Sequence, residues 1–260
     1  MLTYGGKVLK YNNKWIGRFA SAVLPPLTVR LLFSNPTYNP VTDYKPRQSS
    51  FYENGWRPGS VWTRVSSEPN IWDYYCDYVW EDLSDDPYWK LAFGGQFDST
   101  TSGDTYVLDA NFGTVWTVEG AFMDCDIVYS VPLDMPNVRD ANFLFCGCTL
   151  KECPYIYAPI LKVAFALFGS SDTQSREGIY NPFSRIVVPY MPLLEAPDAM
   201  FYDCKDVSVG MLDAYNYLSA LPNLDIPSEA SHLSYRTFTR CGVNNPVGTA
   251  ALAQIPSNWK

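Results

Sequence analysis

Hydrophobic positions in the second half of the chain follow a repeated pattern, in which a Phe is followed three residues later by a Cys. The first three Phe positions are 23 residues apart, and two further units follow after intervals of 33 and 37 residues. The repeat positions are Phe122, Cys125, Phe145, Cys148, Phe168, Ser171, Phe201, Cys204, Phe238 and Cys241. This regularity predicts stacked units with the Phe and the small residue pointing inward.

The spacing within a unit predicts a short helix followed by a short strand. In the second unit, apolar residues are separated by three, four and three positions, at Val138, Ala141, Phe145 and Cys148. This is helical periodicity, and Pro136 suits the first turn of a helix because no backbone donor is lost there. Apolar stretches that end in Pro are interpreted as strands stacked from unit to unit, at residues 128–132, 150–154, 186–189 and 217–222.

A period in the low twenties is typical of leucine-rich-repeat-type solenoids, which present a long surface rather than a cleft. The units resemble BspA-like leucine-rich repeats, including the related surface-protein repeats, over about residues 113–256. Two insertions, at 172–185 and 205–217, depart from that pattern. Insertions in solenoids map to one edge, where they either bind a ligand or are tolerated as surface loops.

The first part of the chain predicts short strands and tight turns. Residues 2–16 have Gly-Gly and Asn-Asn pairs between short apolar segments, which indicates hairpins, and residues 27–33 and 61–65 are predicted strands. The expected fold class is therefore α+β. A small β-rich attachment domain over residues 1–112 is followed by a leucine-rich-repeat-like solenoid of about five units over residues 113–260, with a degenerate C-terminal cap.

The order of these segments resembles proteins encoded by phages of gut Bacteroidetes. The resemblance rests on the strand at 27–33, the segment Asn-Ile-Trp-Asp at 70–73, and residues 107–111 leading into the first repeat. It implies a virion protein associated with a fibre or tail, with other virion proteins as partners. The opening hairpin is either its docking segment or an edge hairpin of the β-rich domain.

Composition narrows the range of functions. The chain has 260 residues, a net charge of −8 and only 18% charged residues, so it is poorly suited to neutralise the phosphates of a nucleic acid. The start has no apolar stretch typical of a signal peptide, and no run is long enough for membrane insertion. We therefore expect synthesis in the host cytoplasm without a signal peptide, and localisation on the virion.

No catalytic or metal-binding constellation is predicted. Cys146, Cys148 and Cys153 lie close in sequence but lack the second pair that a zinc site needs. Residues Asp82, Asp85 and Asp86 fit a solvated turn better than a calcium site. The single histidine, His232, precedes Cys241, but the repeat position of that thiol predicts burial, and buried thiols are inert. We expect no cofactor and no enzyme activity.

Tyrosines are the candidate ligand-binding residues. Tyr155 and Tyr157 are two positions apart and share one face if the segment is a strand, and Tyr129 and Tyr190 come near equivalent places in their units. Aromatic rings beside acidic and amide groups suit sugars, although the same rings are common in subunit contacts.

Three hypotheses follow. The leading one is a homo-oligomeric adhesin that binds a host-surface glycan or protein. The second is a purely structural virion component. The third is a polysaccharide depolymerase, which requires two carboxylates across a groove.

Overall fold

The structure is a computed structural model that describes residues 3–4, 7–8, 10–11, 14–15, 24, 28–43, 60–76, 80–81, 87–88, 97–170, 179–224 and 236–260. Its strands are β1 (Thr3–Tyr4), β2 (Lys7–Val8), β3 (Lys10–Tyr11), β4 (Lys14–Trp15), β5 (Thr28–Phe33), β6 (Ser60–Ser67), β7 (Asn70–Cys76), β8 (Trp80–Glu81), β9 (Pro87–Tyr88), β10 (Thr105–Asn111), β11 (Ile127–Ser130), β12 (Leu133–Asp134) and β13 (Ile156–Tyr157). Its helices are α1 (Pro40–Asp43), α2 (Met211–Ser219) and α3 (Pro246–Gln254), with a 3₁₀ turn at Ser257–Trp259.

The opening hairpins are confirmed at the level of backbone pairing. Strand β1 pairs antiparallel with β2, with Tyr4 opposite Lys7, and β3 pairs antiparallel with β4, with Tyr11 opposite Lys14. The Gly-Gly and Asn-Asn pairs come between these strands in the sequence and lie outside the described residues.

Five strands form the main sheet, in the order β11-β10-β5-β7-β6. The central strand β5 is antiparallel to both neighbours, whereas β10 and β11 are parallel. Alternate residues of β5 enter different clusters: Val29, Leu31 and Phe33 join the large core, and Leu32 packs with residues of β7 and β10 on the other face. Both faces of the sheet are therefore apolar at its centre.

The core is continuous from the sheet into the repeats. One cluster of buried side chains includes Phe33 and Phe97, continues through the repeat phenylalanines and ends at Trp259. Backbone hydrogen bonds also cross the junction, since the N–H of Asp126 donates to the carbonyl of Phe97 at 2.7 Å and Val131 donates to Val107 at 3.1 Å. The division expected at residue 112 falls immediately after β10, and the sheet and core extend across it.

The expected α+β class with a leucine-rich-repeat-like solenoid is wrong. Regular structure in the described residues is mostly a mixed sheet with few helices. Over 97–170 and 179–210 the repeats form turns and contain no helix, and the segment at 217–222, expected to be a strand, overlaps the end of α2.

Hydrogen bonding explains why the helical interpretation failed. In the second unit the N–H groups of Leu144, Cys146 and Cys148 each donate to the carbonyl three residues earlier. The N–H groups between them donate to the next unit instead, as Phe145 does to Leu167 at 2.9 Å. A chain of alternating tight turns and inter-unit bonds thus gives the same three-residue spacing as a helix.

Left-handed backbone conformations prevent these turns from continuing into a helix. Positive φ angles occur two residues before the repeat Phe, as at Phe143 (58°) and Ala199 (54°), and two residues after it, as at Asp124 (59°) and Asp203 (61°). Such angles cost a residue with a side chain about 1–2 kcal/mol. Packing and inter-unit bonds must offset that cost.

The repeat phenylalanines stack directly on one another. The centroid separations are 5.2 Å between Phe122 and Phe145, 5.9 Å between Phe145 and Phe168, 5.7 Å between Phe168 and Phe201, and 5.6 Å between Phe201 and Phe238, with interplanar angles of 14° or less. Trp259 covers the last ring at 6.3 Å, and its carbonyl accepts the N–H of Phe238. The C-terminal segment therefore caps this phenylalanine stack.

Candidate functional site

Two of the predicted tyrosines form an exposed, ordered pair. The rings of Tyr157 and Tyr190 stack with centroids 5.2 Å apart and planes inclined by 7°. Both side chains remain accessible, at 40% and 43% exposed respectively. Exposed aromatic rings held in a fixed geometry are typical of binding surfaces, where they contribute contact area with little loss of conformational entropy.

Backbone pairing holds these two rings in register. Tyr190 forms a parallel bridge with Tyr157, because its N–H donates to the carbonyl of Ile156 at 2.8 Å and its own carbonyl accepts the N–H of Ala158 at 3.0 Å. Strand β12 pairs with β13 on the other side, which places Asp134 opposite Tyr157. We call Asp134, Tyr157 and Tyr190 the tyrosine row.

Two further tyrosines support the row. The phenolic oxygen of Tyr217, on α2, accepts the backbone N–H of Met191 at 2.7 Å and so fixes the chain next to Tyr190. Burial raises the pKa of Tyr217, and the nearby hydroxyls of Tyr190 and Tyr155 raise it further. Tyr155 is half-buried and lies two residues before Tyr157, as the strand interpretation placed it.

Tyr129 does not belong to this surface. It lies on β11, where it pairs with Tyr106 of β10, and it is only 8% exposed. The residues equivalent to Tyr190 are Tyr157 and Asp134, each two positions before a Pro, at Pro192, Pro159 and Pro136. Alignment on those prolines identifies Asp134, which the search for aromatic residues missed.

The repeat positions lie in the interior, with the Cys thiols hydrogen-bonded between units. The Sγ of Cys148 donates to the carbonyl of Phe122 at 3.0 Å, and the Sγ of Cys204 donates to the carbonyl of Phe168 at 3.3 Å. Cys125 and Cys241 are likewise buried, whereas Ser171 lies outside the described residues. A small apolar side chain with a weak donor thus satisfies a buried carbonyl of the preceding unit.

The thiols are predicted to be unreactive in the folded protein. Burial raises the pKa of Cys153 to about 12, and burial also raises the pKa of Cys204 and of Cys241. We expect iodoacetamide at pH 8 to leave the peptides of all six buried cysteines unmodified in the folded protein and to modify them in urea. Fast labelling of any of them without denaturant, read by mass spectrometry, would contradict this.

These thiols also set the direction of a pH effect on stability. A protonated thiol is favoured in the folded state, while in the unfolded chain the same thiol ionises near its ordinary pKa of 9.0. The contribution of Cys153 is therefore complete below about pH 9 and is lost as the pH rises towards 12. Urea denaturation of the wild type and of Cys153→Ala between pH 8 and 11 should show a flatter pH dependence for the variant.

The first insertion, at 172–185, contributes side chains to the core. Both sequence-based interpretations, a ligand-binding edge and a tolerated surface loop, had placed it at the surface. Asn181 is fully buried, and its Nδ2 donates to the carbonyls of Phe145 and Phe168, both at 2.9 Å. Its Oδ1 accepts the N–H of Leu150 at 3.0 Å. Phe183 is also fully buried. Residues 171–178 lie outside the described part of the chain.

The second insertion leads into helix α2. Gly210 precedes that helix with φ of 84°, and a Cβ there would lie 2.3 Å from the carbonyl oxygen of Ile186. Only glycine fits this turn without displacing backbone. The insertion thereby places α2, and with it Tyr217, beside the tyrosine row.

A second exposed apolar surface lies at the C-terminal end. Val243, 43% exposed, lines a shallow groove together with Ala250 and Ala253 of α3, and Val247 on the same helix is 63% exposed. The N-terminus of α3 is capped by Asn245, whose Oδ1 accepts the N–H of Gly248. The rigid start of this helix therefore presents apolar side chains to solvent.

Candidate metal ligands do not assemble in the described residues. No group of three His, Cys, Asp or Glu side chains there has a geometry suited to a metal ion. Cys146 instead donates to the carbonyl of Ser170, and Cys153 donates to that of Pro154. His232, Asp82, Asp85 and Asp86 lie outside the described residues.

Helix length bears on membrane association. Within the described ranges, every helix is too short and too polar to cross a bilayer.

Comparison with protein-family models, with curated proteins and with solved structures gave no match to this chain. The resemblances to BspA-like repeats and to phage virion proteins therefore stay predictions.

Proposed function

We propose that this chain is a non-enzymatic phage virion protein, associated with a fibre or tail, that binds a host-surface glycan or protein through the tyrosine row. One observation supports binding above all: Tyr157 and Tyr190 are stacked in register yet remain 40% and 43% exposed. Placement on a virion rests on the sequence resemblance. Partners would be other virion proteins and a homo-oligomer of this chain.

Binding costs less entropy when the side chains at the binding surface are already ordered. Free surface aromatics lose rotamer freedom when a partner binds, which reduces affinity. Here the stacking of the two rings and the hydrogen bond that the N–H of Met191 donates to Tyr217 have already fixed the surface. A weak contact per copy then suffices, because several linked copies raise the overall affinity by roughly 10²–10⁴.

The binding surface can be tested on intact cells. We expect the fluorescently labelled full-length chain to bind at least one strain in a panel of gut Bacteroidetes, and the double variant Tyr157→Ala/Tyr190→Ala to bind at least tenfold less, by flow cytometry. The matched control is Tyr75→Ala, because Tyr75 is similarly exposed (37%) but lies on β7 of the main sheet. Equal binding by the double variant and the control would contradict the proposal.

Cells incubated with the full-length chain also test the depolymerase hypothesis. Release of reducing sugar ends from the cells by the chain would indicate hydrolysis and would contradict the non-enzymatic proposal. Stable binding without such release is the expected result.

The alternative of a purely structural virion component is favoured by a different surface. The apolar start of α3, with Val247 63% exposed, is the kind of patch that subunit contacts cover. If Val247→Glu prevents incorporation into particles while the tyrosine variants leave cell binding unchanged, the structural function replaces the adhesin.

A further inference from the structure

One face of the tyrosine row is uncovered. Side chains in register on parallel strands project in the same direction, about 4.8 Å apart. The rings of Tyr157 and Tyr190 face each other, so each covers one side of its neighbour. The other side of Tyr157 faces the position of Asp134, an exposed residue whose carboxyl group is too small to cover a phenol ring.

The group beside this open face is a hydrogen-bond acceptor. Asp134 lies in register with Tyr157, it is exposed, and its carboxylate oxygens can accept hydrogen bonds from a ligand. A ligand that fits must therefore present a flat apolar face and hydrogen-bond donors at its rim.

From this geometry we propose that the outer face of Tyr157 and the carboxylate of Asp134 form a subsite for a neutral pyranose ring of a glycan. The C–H face of the sugar stacks on Tyr157, and its hydroxyls donate to Asp134. This inference rests on the proposed function and specifies the ligand class of that same surface.

A cationic ligand fits the open face less well. An ammonium group gains most when several aromatic faces surround it and exclude water. Tyr157 offers a single face, because Tyr190 occupies the other, and Asp134 is exposed to solvent that screens its charge. A uronic acid is disfavoured too, since its carboxylate would lie beside Asp134 on a chain of net charge −8.

The test uses affinity electrophoresis of the full-length chain in gels containing a soluble glucan, mannan, galactan or polygalacturonate. We expect retardation by at least one neutral polymer, at least tenfold weaker interaction with polygalacturonate, and little change between 50 and 500 mM salt. Tyr157→Ala should weaken the interaction at least tenfold, whereas Tyr75→Ala should leave it unchanged. Loss of the interaction at high salt would overturn the proposal in favour of a charged ligand.

Asp134→Tyr is the sharpest variant, because a third ring in register would cover the open face. We expect it to weaken binding to the neutral polymer at least tenfold while leaving the melting temperature unchanged or higher. Asp134→Ala removes the carboxylate without covering the face of Tyr157, so it should weaken binding less than Asp134→Tyr does. Unchanged polymer binding by Asp134→Tyr would overturn the subsite.

Failure of the subsite and failure of the proposed function give different results. If cell binding requires Tyr157 and Tyr190 but no neutral polymer retards the chain and Asp134→Tyr binds cells normally, the adhesin stands with a protein ligand and the sugar subsite is wrong. If the double tyrosine variant binds cells normally, the proposed function itself is wrong.

Discussion

Replacing Phe168 with Ala is expected to lower the free energy of unfolding by about 4 kcal/mol, in the range found for large aromatic side chains removed from a packed core. Phe168 is the middle ring of the phenylalanine stack, between Phe145 at 5.9 Å and Phe201 at 5.7 Å. Phe183 meets it edge-on at 5.9 Å, with an interplanar angle of 86°. The truncation therefore removes contacts on both faces and one edge.

Urea denaturation followed by circular dichroism measures this loss. Phe165→Ala is the matched control, because Phe165 is three residues away and only partly buried, against the edge of Phe143. It should cost about 1 kcal/mol, since much less apolar area leaves water at that position. Equal losses for the two variants would mean that the stack adds no stability beyond ordinary burial.

Replacing Asn181 with Leu is expected to lower the free energy of unfolding by about 3 kcal/mol, although the two side chains have the same branched arrangement of heavy atoms. Asn181 makes three hydrogen bonds to buried backbone groups, with Leu150, Phe145 and Phe168. Each buried group left without a partner costs about 1–3 kcal/mol. The carbonyl of Phe168 keeps the thiol of Cys204, and the carbonyl of Phe145 keeps the N–H of Cys148, so the penalty comes mainly from the N–H of Leu150.

Two variants separate hydrogen bonding from packing in this experiment. Asn181→Asp preserves the acceptor for Leu150 but loses both donors, and it should destabilise strongly as well. Asn137→Ala is the control, since Asn137 is exposed and makes one bond, to Gly113; it should cost less than about 1 kcal/mol. A loss below 1 kcal/mol for Asn181→Leu would show that water or backbone adjustment replaces the three bonds.

The hairpins, the central strand and the buried repeat positions could be predicted from local sequence. Turn pairs at Gly5-Gly6 and Asn12-Asn13 lie between the paired strands, and the β-branched and leucine-rich segment at 28–33 forms the central strand. The Phe and Cys positions predicted to be internal are buried wherever they are described. In each case a short-range preference and burial act in the same direction.

Helices in the repeats could not be distinguished from tight turns by spacing alone. Both structures bring residues three apart to one side, and the difference lies in where the intervening N–H groups donate. Those donors reach the next unit, as the N–H of Asp124 reaches the carbonyl of Cys146 at 2.8 Å, and no local pattern encodes such a partner. The positive φ angles at Phe143, Ala166 and Ala199 are likewise invisible in side chains that ordinarily avoid them.

The candidate site was predicted in part. Tyr157 and Tyr190 were identified as exposed aromatics, but Tyr129 is buried against β10, because distance from Phe and Cys does not fix the register of the outer strands. Asp134 lacks an aromatic ring, so only its position before Pro136 marks it. The position of Tyr217 beside the row depends on helix α2. The sequence did not predict that helix, because most of its residues were assigned to an insertion.

Strand β10 has a consequence for how such a protein can be recombined. It pairs with β5 on one side and with β11 on the other, so it belongs equally to the first part of the chain and to the repeats. An exchange of genetic segments that joined new repeats at residue 112 would replace β11, the partner of β10. The core residues of the sheet would then lose the repeat side chains against which they pack. Breakpoints are tolerated where few contacts cross. A lineage of such proteins would therefore vary the tyrosine row by single substitutions rather than by exchanging whole repeat segments.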